Sequence, residues 1–307
     1  MNIKELAEKS SRLSPGHLTC SGCGIPLAVR TVLRSIAGPV VVVGATGYLE
    51  VTTTIFPYTS WECPFIHSAF ENAAATASGI CAAIEFLKKN TSKKSPEPTI
   101  VVFGGDGGTY DIGLQSLSGA LERGHNLLYI CYDNEAYMNT GVQRSSATPL
   151  GAWTTTSEVG KRALGKPTQR KNLTRIIAAH GITYTAQASI SHLTDLSAKV
   201  EKALTFPGPK FINILQPCTT GWKFAPSQTV TVARLAVETR FWPLYEVVGD
   251  KTQVTVAVPE PRPVEDFLKA QGRFKHLFEP QRQGEVLTQI QAGVDQEWQR
   301  LAKNATI

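Results

Sequence analysis

Two short apolar runs, separated by a glycine-rich loop and a helical pattern, constrain the fold of this chain more than any other feature. The first run, residues 99–103, is rich in β-branched residues and leads into the loop 104–108; the second covers residues 127–131. Between them, apolar residues recur at helical spacing: Ile112, Leu114, Leu117 and Leu121. Such runs are typical of buried strands, and strand–helix–strand predicts a parallel crossover. The loops after both strands then lie at the carboxyl edge of the sheet, where open α/β sheets bind ligands.

The polar residues of these two loops suit a metal-bound diphosphate. Asp106 lies in the glycine loop, Asn134 lies in the loop after the second strand, and a backbone carbonyl near Ala136 offers a third oxygen. Mg²⁺ prefers octahedral oxygen sites, and glycines let the backbone approach a ligand closely. Nucleotide fingerprints fit less well, because G-x-G-x-x-G read from Gly105 places Tyr110 last and no Gly-Lys-Ser/Thr follows. The glycines alone are equally compatible with an ordinary strand-to-helix turn.

The longer text around these loops resembles a known family. Gly105-Asp106-Gly107, followed by Asn134, is similar to the thiamine diphosphate motif. The stretch GDGGTYDIGLQSLSGALERGHNLLYICYDNEAYMNTGVQRSSATPLGAWTTT closely resembles the β subunit of pyruvate:ferredoxin oxidoreductases, which belong to the wider family of 2-oxo acid:ferredoxin oxidoreductases. The resemblance runs from about residue 17 to residue 245. It implies an α/β fold, a doubly wound parallel sheet of the thiamine-diphosphate-binding kind.

The resemblance also assigns roles to residues of both loops. It implies Mg²⁺ held by Asp106, Asn134 and the carbonyl of Ala136. It places Asn139 close to the thiamine ring, as the catalytic residue of this chain. The residues implied for cofactor binding are Gly105, Asp106, Gly107, Gly108, Asn134, Asn139 and Thr140.

Cys20 and Cys23 form a Cys-x-x-Cys pair in a turn near the start of the chain. A lone pair of this kind can hold zinc, an iron–sulfur cluster or a redox disulfide, and a metal would need at least two further ligands. The resemblance implies a [4Fe-4S] cluster next to thiamine, with Cys20, Cys23 and Cys218 as three of its ligands.

The fourth cluster ligand is where this sequence departs from the family. Related sequences have a cysteine after a Thr-Gly pair, whereas here Thr46-Gly47 is followed by Tyr48. Three outcomes stay open: Cys63 replaces the missing ligand, a group other than cysteine replaces it, or the cluster is altered or absent. We expect a bound cluster.

The activity that the resemblance implies is oxidative decarboxylation of a 2-oxo acid, with pyruvate favoured, to acyl-CoA and CO₂. Electrons would leave through the cluster to ferredoxin or another acceptor. The implied partners are α, γ and δ-type subunits, which would supply the carboxylate that activates thiamine, so this chain alone should be inactive. The alternatives are another 2-oxo acid (phenylglyoxylate, oxalate or a branched-chain acid) or a non-oxidative thiamine-dependent decarboxylase. A non-catalytic electron-transfer subunit is a third, which the pairing of Asp106 with Asn134 opposes.

Composition limits the other classes. With 42% hydrophobic and 18% charged residues among 307, the chain is typical of a folded soluble protein. No apolar stretch approaches a membrane span, and the charged start lacks the apolar part of a signal peptide, so we expect a cytoplasmic protein. The net charge of +6 is mild, and no nucleic-acid motif accompanies it. The basic segment 161–171 is interpreted as a solvated loop that faces an acidic partner.

We predict two parts of the chain. Residues 1–258 would form the thiamine-diphosphate and Mg²⁺ domain with its iron–sulfur site, and prolines near residue 259 mark a linker. Residues 259–307 would form a C-terminal helical arm, because charged residues there alternate with well-spaced apolar ones. We expect this arm to pack on a partner subunit.

Overall fold

A mostly parallel sheet organises the part of the chain that the computed structural model describes, residues 3–91 and 96–306. Its strands in that part are β1 (Val40–Ala45), β2 (Phe65–Ser68), β3 (Thr99–Gly105), β4 (Leu127–Asp133), β5 (Tyr184–Ser189), β6 (Lys210–Leu215), β7 (Tyr245–Val248), β8 (Lys251–Val254) and β9 (Ala305–Thr306). Their order across the sheet is β2-β1-β3-β4-β6-β5-β7-β8-β9. The strands from β2 to β5 in this order are all parallel, whereas β7 is antiparallel to both β5 and β8.

Helices cover both faces of the sheet. They are α1 (Ile3–Glu8), α2 (Ile25–Arg34), α3 (Tyr48–Thr53), α4 (Ala73–Asn90), α5 (Leu114–Glu122), α6 (Leu173–Ala178), α7 (Leu193–Leu204), α8 (Thr219–Trp222), α9 (Thr229–Glu238), α10 (Val264–Lys269) and α11 (Gly284–Asn304). Alternate residues of β3 point to opposite faces: Val101 and Phe103 pack with α2 and α7, whereas Ile100 and Val102 pack with α4 and α5. The predicted doubly wound fold is therefore confirmed. Among the described residues no helix is long and apolar enough to cross a membrane.

The first crossover forms where the sequence predicts it, with two differences in detail. Strand β3 continues two residues beyond the apolar run, to Gly105. The helical turn begins earlier than the apolar spacing indicates, because a π-helical segment, Gly107–Ile112, precedes α5. Wide turns of this kind are frequent at functional sites, and here one follows Asp106 directly.

The C-terminal segment, predicted as an arm, packs on this chain's own core. Phe267, Leu277 and Ile290 are buried in one cluster with Trp222 and Trp242. The apolar face that the sequence assigned to a partner is thus covered from within the chain. Contact between the outer face of this segment and another subunit stays a prediction.

Candidate functional site

The residues of the predicted site meet at the carboxyl edge of three neighbouring strands. Strand β3 ends just before Asp106, β4 just before Asn134 and β6 just before Gln216. These strands are adjacent in the sheet, and the backbone N–H of Gln216 donates to the carbonyl of Asp133 at 2.7 Å. The loop that carries Cys218 therefore begins beside the loop that carries Asn134.

Three oxygen atoms converge at the predicted metal position. The side-chain oxygen of Asn134 lies 3.0 Å from Asp106 Oδ1 and 2.8 Å from the carbonyl oxygen of Ala136, with only acceptors facing it. Neighbouring ligands of an octahedral Mg²⁺ with 2.0–2.1 Å bonds are separated by about 2.9 Å. A cation at their centre would satisfy all three oxygens, and without one the amide would have to turn and donate. The oxygen set therefore fits Mg²⁺.

Buried charge also favours a cation at this position. Asp106 is 1% exposed, and its Oδ2 accepts a hydrogen bond from Ser145 Oγ at 2.5 Å. Burial raises the pKa of Asp106, and the neighbouring carboxylate of Asp133 raises it further. Because two buried acids lie side by side, a divalent cation would stabilise their ionised forms.

Glu135, between the metal-ligand candidates Asn134 and Ala136, is held by a network that sequence reasoning missed. It is fully buried and has φ of 64°, an unusual conformation for a residue other than glycine. Its carboxylate accepts from Arg170 at 3.1 Å and from Arg273 at 2.6 Å. Two arginines on one buried carboxylate hold this strained loop in place.

Arg273 also connects the metal loop to the cysteine loop. Its guanidinium stacks over the ring of Trp222 at 3.7 Å, and Trp222 Nε1 donates to the carbonyl of Asn134 at 2.7 Å. Trp222 closes the short helix that begins after Cys218. No sequence signal distinguishes Arg273 from the surface arginines of the C-terminal segment, because its partners come from distant parts of the chain.

A cavity of about 170 Å³ opens over the oxygen set. The implied cofactor residues all line it: Gly105, Asp106, Gly107, Gly108, Asn134, Asn139 and Thr140. Asn139 and Thr140 lie at the exposed side. Gly107 has no room for a side chain, since a Cβ there would lie 2.3 Å from the ring of Tyr137.

The three predicted cluster cysteines lie near this cavity and differ in exposure. Cys23 and Cys218 are partly buried and Cys20 is exposed. Burial, with smaller contributions from Cys218 and Cys20, raises the pKa of Cys23 to about 11. Burial also raises the pKa of Cys218, with a contribution from Cys20, so Cys20 and Cys23 both lie within electrostatic range of Cys218. As free thiols Cys23 and Cys218 are protonated at neutral pH, and a metal would displace their protons.

The structure does not bring Cys63 into this group. The charged groups that influence its thiol are Arg12 and Glu62, and burial raises its pKa. Tyr48 instead lies near two of the three cysteines: its hydroxyl donates to Gln216 Oε1, and both Cys23 and Cys218 raise its pKa. In the described parts of the chain, no three His, Cys, Asp or Glu side chains are arranged to hold a metal ion. The set of three cysteines is thus not a preformed site for a single metal ion.

The basic segment 161–171 is solvated only in part, because Lys161, Arg162 and Lys171 are exposed whereas two other basic side chains turn inward. Lys166 is 2% exposed and its ammonium donates to the carbonyl of Thr148. Arg170 binds Glu135, and Lys171 donates to the carbonyl of Tyr110 at 2.9 Å. Much of this charge serves the interior of the site, because buried carbonyls and a buried carboxylate offer the acceptors.

Comparisons with known proteins agree with this geometry. The family model described as the thiamine pyrophosphate enzyme, C-terminal TPP binding domain, matches residues 45–214. Pyruvate synthase subunit PorB of Thermotoga maritima is 49% identical, over 98% of this chain and 95% of that one. Ketoisovalerate oxidoreductase subunit VorB of Pyrococcus abyssi is 44% identical, over 95% and 93%. A structure of 2-oxoglutarate:ferredoxin oxidoreductase from Magnetococcus marinus aligns with a TM-score of 0.55 at 21% identity, covering 76% of this chain and 81% of that one, and supports the fold.

The fold and the matched domain define a thiamine-pyrophosphate-binding enzyme chain. More narrowly, the chain belongs to the family of thiamine-dependent 2-oxo acid:ferredoxin oxidoreductase subunits that includes pyruvate synthase subunit PorB. It is a subunit of an enzyme complex, and the family predicted from the sequence is confirmed.

Proposed function

We propose that this chain binds thiamine diphosphate through Mg²⁺ held by Asp106, Asn134 and the carbonyl of Ala136. The observation that carries the proposal is the end of the Asn134 amide, which lies 3.0 Å from Asp106 Oδ1 and 2.8 Å from the carbonyl oxygen of Ala136. With the amide oxygen turned to this side, the three groups offer three oxygen ligands to one cation. Gly105, Gly107 and Gly108 line the same cavity, so their backbone lies close to the position of a bound diphosphate. Bound thiamine supplies the electron sink for loss of CO₂ from a 2-oxo acid.

The residues of this chain hold and orient the cofactor, and a second polypeptide completes the site. Asp106 is the only carboxylate among the described residues that line the cavity, and it is committed to the metal. A further acid for the aminopyrimidine therefore has to come from a partner, in agreement with the expectation that the chain is inactive alone. Asn139, at the exposed side, is proposed to contact the thiamine ring.

Cys20, Cys23 and Cys218 are proposed to hold an iron–sulfur cluster that takes the electrons. The loop of Cys218 begins beside the metal loop, and Gly221 near Cys218 packs against Met138, with a hypothetical Cβ only 2.2 Å from its sulfur. The two sites are thus separated by little more than one side chain. A carrier this close to the cofactor suits electron transfer to ferredoxin, in a cytoplasmic complex with α, γ and δ-type partners.

Pyruvate is the favoured substrate, with coenzyme A as the acyl acceptor. The support is the 49% identity with a pyruvate synthase subunit over nearly the whole chain. A branched-chain 2-oxo acid is the second candidate, since a ketoisovalerate oxidoreductase subunit is 44% identical over a similar length. The two differ little in similarity because partner subunits would supply much of the substrate contact.

The test uses the complex purified with its partner subunits in the absence of oxygen. We expect reduction of ferredoxin to require coenzyme A, thiamine diphosphate and Mg²⁺, with a higher kcat/KM for pyruvate than for 2-oxoisovalerate. The reverse ratio would support the second candidate. Release of acetaldehyde without reduction of ferredoxin would contradict the oxidative function and favour a decarboxylase.

A further inference from the structure

Tyr48 lies between the cofactor cavity and the three predicted cluster cysteines, Cys20, Cys23 and Cys218. It is the first residue of α3 and directly follows Gly47, and both residues line the cavity. Its ring meets the ring of Tyr132 edge to face, with centroids 5.6 Å apart. Its hydroxyl donates to Oε1 of Gln216, which is fully buried. The phenol is therefore held in one orientation from two sides.

Gln216 links this hydroxyl to both cysteine segments. Its Cγ lies 3.2 Å from the position of a hypothetical Cβ on Gly24, the residue after Cys23. Its Nε2 donates to the carbonyl of Pro217, immediately before Cys218, at 2.7 Å. The hydroxyl that Gln216 holds consequently lies where the Cys-x-x-Cys turn and the late cysteine loop meet.

Of the two candidates for a fourth ligand, Tyr48 is therefore the one whose hydrogen-bond partner contacts both cysteine segments.

We propose that Tyr48 occupies the fourth corner of a cluster held by Cys20, Cys23 and Cys218, so that the iron at this corner lacks a protein thiolate and is exchangeable. This inference rests on the proposed cluster. Each iron of a four-iron cluster normally has a thiolate ligand, and a phenol oxygen is a harder and weaker partner for such iron. The hydroxyl is moreover already engaged with Gln216. The iron at this corner also lies toward the cofactor cavity, because Tyr48 lines it.

Mild oxidation releases the iron from a corner that lacks a thiolate. Ferricyanide takes one electron from a [4Fe-4S]²⁺ cluster, one Fe²⁺ leaves into solution, and a [3Fe-4S]⁺ cluster stays on the three thiolates. Ferrous iron with a reductant reverses the step. The three-iron form has a sharp EPR signal that the oxidised four-iron form lacks.

The experiment compares oxygen-free preparations of the complex that differ only in this chain. A Cys218→Ser complex serves as the blank for clusters on other subunits. We expect wild type to gain the three-iron signal with ferricyanide and to lose it when Fe²⁺ is added back. Tyr48→Cys should give no such signal under the same treatment, and Cys63→Ser should behave as wild type.

A second substitution keeps the test valid if Tyr48→Cys does not fold. Tyr48→Phe keeps the ring against Tyr132 and removes only the oxygen, so it should contain less iron than wild type as purified and should give a larger three-iron signal at the same low dose of ferricyanide. If Tyr48→Phe and wild type match in iron content and in ferricyanide response, Tyr48 is not at the fourth corner. A changed cluster in Cys63→Ser would likewise overturn the inference.

The failure of this inference is distinguishable from failure of the proposed function. Equal behaviour of wild type and Tyr48→Cys, both with iron above the Cys218→Ser blank, removes the role of Tyr48 and leaves the cluster. Wild type with no iron above that blank removes both.

Discussion

The oxygen site and the thiol site share one edge of the sheet but are built in different ways. Asp106 and Asn134 belong to a single crossover, are almost fully buried, and are fixed by Ser145 and Trp222. The thiols of Cys20 and Cys23 are far in sequence from that of Cys218, and Cys20 is exposed. A site fixed before its ligand arrives loses little entropy on binding, whereas a loosely held one becomes rigid with its metal. The first site should therefore determine cofactor affinity, and the second should depend on the cluster for its own order.

The largest loss of cofactor affinity should follow from removing the negative charge of the oxygen site. We expect Asp106→Asn to weaken binding of thiamine diphosphate with Mg²⁺ by more than about 100-fold, because loss of a direct ligand exceeds the effect of losing a supporting group. The asparagine is isosteric, and burial already raises the pKa of this acid, so the complex without cofactor should be no less stable. Calorimetric titration and thermal unfolding measure the two effects.

Asp111→Asn is the matched control for this substitution. Asp111 accepts from the backbone of Ser146 and from Tyr137, pairs with the exposed Lys171, and does not line the cavity. An amide oxygen can accept the first two bonds, and an exposed ion pair contributes less than about 1 kcal/mol, so cofactor affinity should stay within about threefold. Equal losses in the two variants would mean that general loop disruption, and not metal ligation, explains the effect.

The second prediction tests whether the two sites bind their cofactors independently. Cys218→Ser should abolish the reduction of ferredoxin and lower the iron content, yet leave the affinity for thiamine diphosphate nearly unchanged. The fold should survive, because the serine hydroxyl can replace the sulfur as acceptor for the Gly221 N–H, now 3.3 Å away. Iron analysis and calorimetry check this. A parallel loss of cofactor binding would show that the thiol site supports the oxygen site.

Sequence patterns could identify Asp106 and the Cys-x-x-Cys pair for local reasons, whereas Cys218 follows only from the family resemblance. Asp106 and Asn134 follow predicted strands, and the edge on which such loops meet is fixed by the crossover. Cys20 and Cys23 stand out by their spacing. The strand and helix pattern of the same crossover was predictable because apolar periodicity reports burial directly.

Other parts of the molecule could not be predicted from local patterns. Glu135 and Arg273 are ordinary charged residues in sequence, and only the tertiary fold pairs them in a buried site. The apolar spacing of the C-terminal segment indicated that a face is buried but not against what, and it is buried against Trp222 and Trp242. The charges of segment 161–171 raise the same difficulty, since the formal count of basic residues carries no information on their partners.

The third effect concerns Arg273, which touches the supports of both sites. Arg273→Met should weaken binding of thiamine diphosphate about 10-fold to 100-fold, the usual range for a group that orients a metal ligand. It also leaves Glu135 buried with Arg170 alone, which should lower stability by about 3 kcal/mol. Calorimetry and thermal unfolding of the complex measure both.

Arg282→Met is its control within the same C-terminal segment. Arg282 pairs with Glu265 at the surface, where its own side chain is 59% exposed. An exposed pair contributes less than about 1 kcal/mol, so cofactor affinity should not change. If both variants weakened binding alike, the segment as a whole, rather than the contact of Arg273 with Glu135, would support the site.

The smallest effect on the two sites should come from Lys210, at the end of β6 opposite to the Cys218 loop. Lys210 begins β6 and is 3% exposed, and burial lowers its pKa from 10.5 to about 8. The unfolded chain therefore binds more protons than the folded one between pH 8 and 10.5, and stability should rise with pH across that window. Lys210→Met should remove this rise and stabilise the protein at pH 7 by up to about 3 kcal/mol.

The exchange leaves no buried acceptor without a partner, because Lys210 donates to the exposed Asn126, which water can satisfy. Cofactor affinity and iron content should both match wild type, since the charge lies at the amino edge of the sheet and both sites at the carboxyl edge. Thermal midpoints at several values of pH between 7 and 10 measure the change. A variant that lost cofactor or iron despite higher stability would show that β6 transmits strain along its length, and the two sites could then no longer be treated as independent of the strand that joins them.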